Sequence, residues 1–375
     1  MRIAYLVLKN LLRGGGIEKY TYEVGRRLAG RGHEIVVYSM GNYGKVETTV
    51  DGIQVVKVSA PKVIFAEKTW ASGAAALRAT FSRPQFDIFH FHSVAAGIFG
   101  FMPLMLKRRT VLQMHGVEWQ RSRWGGIGRR VLSTMEQLSL AMHANCTAVS
   151  QTQCEFYRKR YGKDLVYIPT GAELPLVCER TDKLEEIGLE PGRYILFTSR
   201  LVAEKGAHYL IEAFKSLSSD YKLVIAGDAR GEEQYMRLLR SSAGNDGRVL
   251  FPGYVEGDLK NQLLSNAAIY VQPSEVEGLS IALLEAMSYG LCCLVSDIPE
   301  NIEAIKDAGH IFQNKNALDL GNKLGILLND AALRQRYGQS ARHRVAEFYS
   351  WDHVTDRLEE LYSSIRIGRH VLGAR

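Results

Sequence analysis

The sequence plays one rhythm twice, and that rhythm restricts the fold more than any single motif. In the first half, β-rich runs IAYLVL (3–8), EIVVY (34–38), IQVVKV (53–58), DIFHFH (87–92) and TVLQMH (110–115) alternate with helical patterns at 17–31 and 70–81. Strands separated by helices return through crossovers, which makes neighbouring strands parallel and covers both faces of the sheet. A longer amphipathic stretch, Gly128 to His143, sets Val131, Leu132, Met135, Leu138 and Met142 on one face at spacings of three and four, and TAVS (147–150) and VYIPTG (166–171) follow. Residues 176–192 (LVCERTDKLEEIGLEPG) are charged, carry no strand pattern and read as a linker. The rhythm then starts afresh with YILFTS (194–199), a helix from 206, KLVIAG (222–227), VLFPGY (249–254), AIYVQPS (268–274) and CCLVSD (292–297). Two consecutive doubly wound α/β domains are expected, residues 1–177 and 178–350, and 375 residues give each enough chain to bury a core.

Composition narrows the setting. Hydrophobic residues make up 46% and charged residues 23%, as in a soluble globular protein. Lys and Arg outnumber Asp and Glu 47 to 40, and the excess gathers between 101 and 165, where eleven cations, among them Lys107, Arg108, Arg109, Arg121, Arg123, Arg129 and Arg130, face four acids. Such a face suits anionic lipid, a polyphosphate substrate or nucleic acid, and equally a solvated surface. The longest apolar run, Val94 to Leu106, is shorter than the ~20 residues of a spanning helix. It reads first as a buried helix and second as an interfacial one. Five cysteines without CxxC or histidine spacing argue against a zinc site or disulfide framework, and the N-terminus lacks the layout of a signal peptide. A reducing, cytoplasmic setting is expected.

In doubly wound sheets ligands sit beyond the carboxyl ends of the strands, and four post-strand loops carry candidate chemistry. Gly14, Gly15 and Gly16 let backbone approach a ligand ahead of a helix N-terminus. The acid that a dinucleotide site needs after the second strand is absent, since that stretch reads Tyr38, Ser39, Met40, Gly41. His115 and Glu118 leave a strand beside a glycine, with tryptophans and arginines close behind. Arg200 and Lys205 flank a helix start, a fork and a point charge suited to a diphosphate. Glu277 and Glu285 bracket Gly278 and the turn into a helix at Ser280. Amides there suit an anion, and carboxylates ~12 Å apart along a helix accept from vicinal hydroxyls at either end of an elongated ligand.

With these motifs in order, GGGIEKY (14–20), MHGVEW (114–119), SRLVAEKG (199–206), FPGYV (251–255) and SEVEGLSIALLEAMSYG (274–290), nearly the whole chain resembles the GT-B glycosyltransferases of family 4. The resemblance implies two Rossmann-like domains facing each other across a cleft, with a last helix (351–375) crossing back to the first. It implies an E-x7-E motif in which Glu277 binds sugar hydroxyls and Glu285 the ribose. Gly278, Leu279 and Ser280 would serve sugar and phosphate, Tyr254 and Val255 the base, and Arg200 and Lys205 the diphosphate. Gly15 and Gly16 would lie against phosphates or acceptor, His115 near the reacting carbon, and Glu18, Glu118 and Trp119 on the acceptor side. Ser280 stands where many relatives carry proline, which loosens the preset φ and adds a hydroxyl. HGVEWQRSRWG (115–125) resembles a subgroup of bacterial rhamnosyl and exopolysaccharide transferases.

The implied reaction moves a sugar, with retention, from a nucleoside diphosphate to a hydroxyl of a glycan or lipid-linked acceptor, as in lipopolysaccharide or other surface-polysaccharide synthesis. It would use no metal or other cofactor and no nucleic acid, with peripheral contact between the basic first domain and an anionic inner membrane face. A nucleotide-sugar epimerase of the same fold, or a non-enzymatic nucleotide-sugar-binding partner, are the competing classes.

Overall fold

The computed structural model of the protein describes residues 1–12, 15–41, 49–59, 67–121, 124–229 and 231–368. Gly14 and Arg123 lie outside them. The chain divides into two compact units, Met1–Thr170 with Trp351–Arg375, and Gly171–Ser350. The first crossing precedes the charged stretch 176–192, which belongs to the second unit. Its short helix Asp182–Glu185 is tied down there by Gln262, whose amide nitrogen donates to Asp182 and whose oxygen accepts from the Lys183 amide.

Among its described residues the first unit holds eight strands: β1 (Arg2–Leu8), β2 (Glu34–Met40), β3 (Thr49–Val50), β4 (Ile53–Val58), β5 (Ile88–His92), β6 (Arg109–Met114), β7 (Asn145–Ala148) and β8 (Val166–Tyr167). Their order is β3-β4-β2-β1-β5-β6-β7-β8, parallel throughout except for the β3–β4 edge. β5 is buried along its whole length, as a strand covered on both faces must be. The order reverses between β1 and β5, so chemistry is expected beyond the carboxyl ends of those strands.

The C-terminal helix Trp351–Arg366 belongs to this unit. It buries Trp351, Val354, Leu358, Tyr362 and Ile365. Ion pairs tie it to the helix Gly16–Gly30: Arg27 to Asp352 at 2.8 Å, and Arg31 to Asp356 and Glu359 at 2.7 Å each. Arg109 donates to the carbonyls of Ile365 and Arg366, satisfying acceptors that a helix end leaves orphaned.

The helix Gly126–Met142 departs from its apolar pattern. Val131 and Leu138 are exposed and Ile127 is 83% exposed, while Glu136, Ser139 and Leu140 are buried. Glu136 decides the orientation, because its carboxylate accepts from Trp119 Nε1, Tyr157 Oη and Tyr161 Oη. A satisfied buried carboxylate fixes one face inward and splits the apolar stripe, with Val131 and Leu138 turned outward and Leu132, Met135 and Met142 half-buried. The run Val94–Leu106 breaks into three short helical pieces with Val94, Ala96 and Pro103 buried and Phe101, Met105 and Leu106 exposed, between the two expected readings. Among the described residues no helix is long and apolar enough to cross a membrane.

Among its described residues the second unit is built on a six-stranded parallel sheet: β9 (Tyr194–Thr198), β10 (Lys222–Ala226), β11 (Val249–Gly253), β12 (Ile269–Gln272), β13 (Cys293–Ser296) and β14 (His310–Phe312), in the order β11-β10-β9-β12-β13-β14. The reversal falls between β9 and β12, the strands that lead into SRLVAEKG and SEVEGLS.

Candidate functional site

In the first unit, polar side chains gather at the carboxyl ends of β5 and β6. His92 closes β5, His115 follows β6, and the two strands pair in register with His92 opposite Gln113. His92 Nδ1 lies 2.9 Å from His115 Nε2, and His92 Nε2 lies 3.0 Å from Thr21 Oγ1 on the helix Gly16–Gly30. Tyr20 presents its ring edge-on to both imidazoles. Burial pushes the His115 pKa down to about 3 and that of His92 well below the ordinary value, with neighbouring cationic groups adding to the effect. Both rings are therefore neutral at physiological pH.

Several first-unit candidates are already engaged. Glu18 accepts from the amides of Gly15 (2.9 Å) and Lys9 (3.2 Å), so a carboxylate of the chain itself occupies the helix N-terminus that the glycines were expected to offer to an anion. Gly16 is the first residue of that helix. Glu118 pairs with Arg121 at 3.1 Å and accepts from Trp124 Nε1, bracing the turn after β6. Trp119 packs on the core with its Nε1 committed to Glu136, and the guanidinium of Arg160 covers its ring at 4.7 Å.

In the second unit the reversal point assembles the rest. The loop after β9 brings in Lys205, and its Nζ meets Glu277 Oε1 at 2.5 Å, with the Glu277 side chain only 7% exposed. Gln272, the last residue of β12, donates to the same oxygen at 2.6 Å and is itself held by Tyr270 Oη. Gly206 makes this approach feasible. It sits at φ +72°, and a Cβ there would lie 1.9 Å from the Pro273 carbonyl oxygen. Arg200 is exposed and its guanidinium has no hydrogen bond or ion pair among the described residues, so one fixed and one uncommitted cation flank the turn.

Ser280 caps the helix Ile281–Ser288. Its φ is −73°, close to the value proline would impose, and its hydroxyl accepts from the Leu283 amide. The extra hydroxyl thus does the work of a cap and the turn is not loosened. The amides of Gly278 and Ser280 make no hydrogen bond among the described residues. In the second turn of the helix, Glu285 receives Lys260 Nζ at 2.9 Å on each oxygen. Tyr254 is exposed and Val255 buried in the loop after β11, which leads into the helix Gly257–Asn266 carrying Lys260. Glu300, in the first turn of the helix Pro299–Ile305 after β13, has its pKa pushed up to about 7 by burial, with Glu303 and Glu277 contributing.

Gln272, Lys260, Glu300, His92 and Thr21 were not singled out from sequence. A glutamine ending an apolar strand five residues before Glu277 was the available signal for Gln272. Lys260 had none, since its helix is ordinary and the pairing spans 25 residues. Among the described residues no group of three or more His, Cys, Asp or Glu is placed to hold a metal ion.

The chain is similar to known glycosyltransferases in sequence and in fold. The family described as "Glycosyl transferases group 1" matches residues 179–344, and "Glycosyltransferase Family 4" matches 14–174. An uncharacterized glycosyltransferase of Methanocaldococcus jannaschii is 26% identical over 373 residues, covering 93% of this chain and 94% of that protein. Sucrose-phosphate synthase from Thermosynechococcus elongatus superposes with a TM-score of 0.85 at 18% identity, over 98% of this chain and all of that one. Anabaena HepE in complex with UDP and glucose gives 0.80 at 17% identity, over 97% of this chain and all of that one.

Proposed function

The chain belongs to the GT-B glycosyltransferases of family 4, and from that premise we propose that it moves a sugar from a nucleoside diphosphate to a hydroxyl of a glycan or lipid-linked acceptor, with retention. The observation that carries the reading is the pair of carboxylates at one reversal point, each fixed by its own lysine, Glu277 by Lys205 and Glu285 by Lys260. Between them lie the open amides of Gly278 and Ser280.

Glu285 takes the ribose diol and Glu277 the hydroxyls of the transferred sugar. Each carboxylate keeps lone pairs beyond those its lysine uses. As the bond to the sugar breaks, negative charge grows on the departing diphosphate. Arg200, Lys205 and the amides at 278–280 supply counter-charge that is in place before the reaction starts. This arrangement asks for no metal ion. Tyr254 and Val255 frame the base, and His115 is assigned to the transferred sugar. A uridine nucleotide is the first donor to test, since HepE binds UDP.

The acceptor side carries a second feature. Trp70 and Leu77 are exposed on the helix Glu67–Thr80 and Phe81 just past its end, Met105 and Leu106 at the end of the helix Phe101–Met105, and Ile127, Val131 and Leu138 on Gly126–Met142. Lys107, Arg129 and Arg130 stand among them. Apolar anchors mixed with cations fit the interfacial zone of an anionic bilayer, where a lipid-linked acceptor is found.

A thermal-shift panel of UDP, GDP, dTDP and ADP tests the donor site, since a ligand at ~100 Kd adds ~2.7 kcal/mol. Stabilisation by none of them would remove the nucleotide assignment. Incubation with sugar nucleotide alone must yield no epimer.

A further inference from the structure

The buried imidazoles of the first unit hold more information than their neutrality, because their hydrogen bonds have a direction. Thr21 Oγ1 lies 2.9 Å from the Ile17 carbonyl oxygen. The hydroxyl has one proton, and we assign it to this carbonyl, which can only accept; Oγ1 is then left as an acceptor. His92 Nε2, 3.0 Å away, must then be the donor and carry the proton. A neutral ring protonated at Nε2 is bare at Nδ1. The atom 2.9 Å from that Nδ1, His115 Nε2, must in turn donate. The chain of constraints ends at His115 Nδ1, which carries no proton and has no partner among the described residues.

We propose that Thr21 and His92 are positioning residues that lock the tautomer of His115, so that its bare Nδ1 accepts a hydrogen bond from a hydroxyl of the transferred sugar. This rests on the assignment of His115 to the sugar made above. The lock has two consequences. His115 cannot give a proton to the leaving diphosphate from Nδ1, which confines it to reading a hydroxyl donor on the sugar. Its neutral ring also places no positive charge beside an oxocarbenium-like centre, as an imidazolium would. Burial of both rings keeps the relay neutral across the physiological range. Tyr20 packs edge-to-face against both rings.

The test reads tautomers directly. In the full chain with 15N-labelled histidine rings, long-range proton–nitrogen correlation distinguishes the two neutral tautomers, and His115→Asn assigns the signal. The expected wild-type result, without any ligand, is Nε2–H at both His92 and His115. Thr21→Val keeps the shape and removes the acceptor. The His92 proton then loses its reason to stay on Nε2, and His115 shifts toward Nδ1–H. Thr21→Ser keeps the acceptor and the wild-type pattern.

Release of nucleoside diphosphate from UDP-, GDP-, dTDP- and ADP-glucose, with water taking the glucosyl group in place of the acceptor hydroxyl, gives the functional readout. Thr21→Val is expected to lower turnover about tenfold, the effect of one hydrogen bond lost in the transition state, with unchanged affinity for the free nucleoside diphosphate. Thr21→Ser should restore turnover. A wild-type His115 protonated at Nδ1, or a tautomer indifferent to Thr21→Val, would overturn the lock. A tautomer that shifts with no change in turnover would overturn the part played by Nδ1. Failure of the wild type to release diphosphate from any of the four sugar nucleotides would count against the transfer reading instead. The ring signals, read without substrate, still decide the lock.

Discussion

Replacing Glu300 by glutamine should stabilise the second unit at high pH and leave it nearly unchanged at low pH. The carboxyl is pushed up to about 7 in the folded chain against an ordinary 4.5, chiefly by burial. A raised pKa means the folded state holds the proton more tightly than the unfolded chain does. The stabilising contribution is therefore present below 4.5 and lost as pH rises through about 7. The interval corresponds to about 3 kcal/mol at ~1.36 kcal/mol per pH unit. Glutamine is uncharged throughout and nearly isosteric, so it escapes this loss. Urea unfolding of wild type and Glu300→Gln at pH 4.5 and 8.5 should show a stability gap that widens by about 3 kcal/mol in favour of the variant. The probe matters. All four tryptophans, Trp70, Trp119, Trp124 and Trp351, lie in the first unit, so their fluorescence serves as an internal control. Amide exchange along β13 follows the unit that changes. A gap of the same size at both pH values would mean that Glu300 ionises as freely in the folded chain as in the unfolded one.

Other substitutions separate binding from turnover. Glu285→Ala should weaken affinity for the free nucleotide by calorimetry, whereas Glu277→Ala should mainly lower turnover; an unchanged nucleotide affinity in the first would remove the ribose assignment. Lys260→Met leaves the largely buried Glu285 carboxylate without its cation and should cost about 2–3 kcal/mol in urea unfolding. Vesicles with 30% phosphatidylserine should co-sediment the wild type at low salt and release a Trp70→Ser/Phe81→Ser/Ile127→Ser variant, while neutral vesicles should bind either poorly; equal binding of both proteins would dismiss the membrane face. Transfer measured in excess EDTA should keep its rate, and a loss restored by Mg²⁺ would show that Arg200 and Lys205 do not suffice.

The sheets were legible because crossover topology writes itself as alternating period-two and helical segments, and each run from IAYLVL to CCLVSD lies on or beside a strand. Glu277 and Glu285 stand out in sequence because both sit in one short, ordered motif. Their lysines were not equally so. Lys205 is six residues past β9 and visible as a post-strand cation, but Lys260 reaches Glu285 from a helix with no distinguishing pattern. Periodicity also misread Gly126–Met142: it counts apolar residues, and the inward face was decided by a single satisfied carboxylate, Glu136. Glu18 and Glu118 look like ligand-binding acids in sequence, yet backbone amides and a neighbouring arginine engage them. A local hydrogen-bond partner leaves no trace in residue spacing. The same holds for the His92–His115 relay, whose members come from a strand, a post-strand loop and a helix.

The C-terminal helix has a consequence for the order of assembly. Tyr362 Oη lies 2.9 Å from Tyr5 Oη and bonds to His90, so β1 and β5 complete their core with a helix made after the whole of Gly171–Ser350. A ribosome emits Gly171–Ser350 whole while Tyr5, Tyr20 and His90 still await Trp351 and Tyr362. The unit encoded second is thus the first able to finish folding, the reverse of the usual N-to-C progression. During synthesis the first unit must wait, its apolar β1–β5 face incompletely covered, for a time set by the rate of translation.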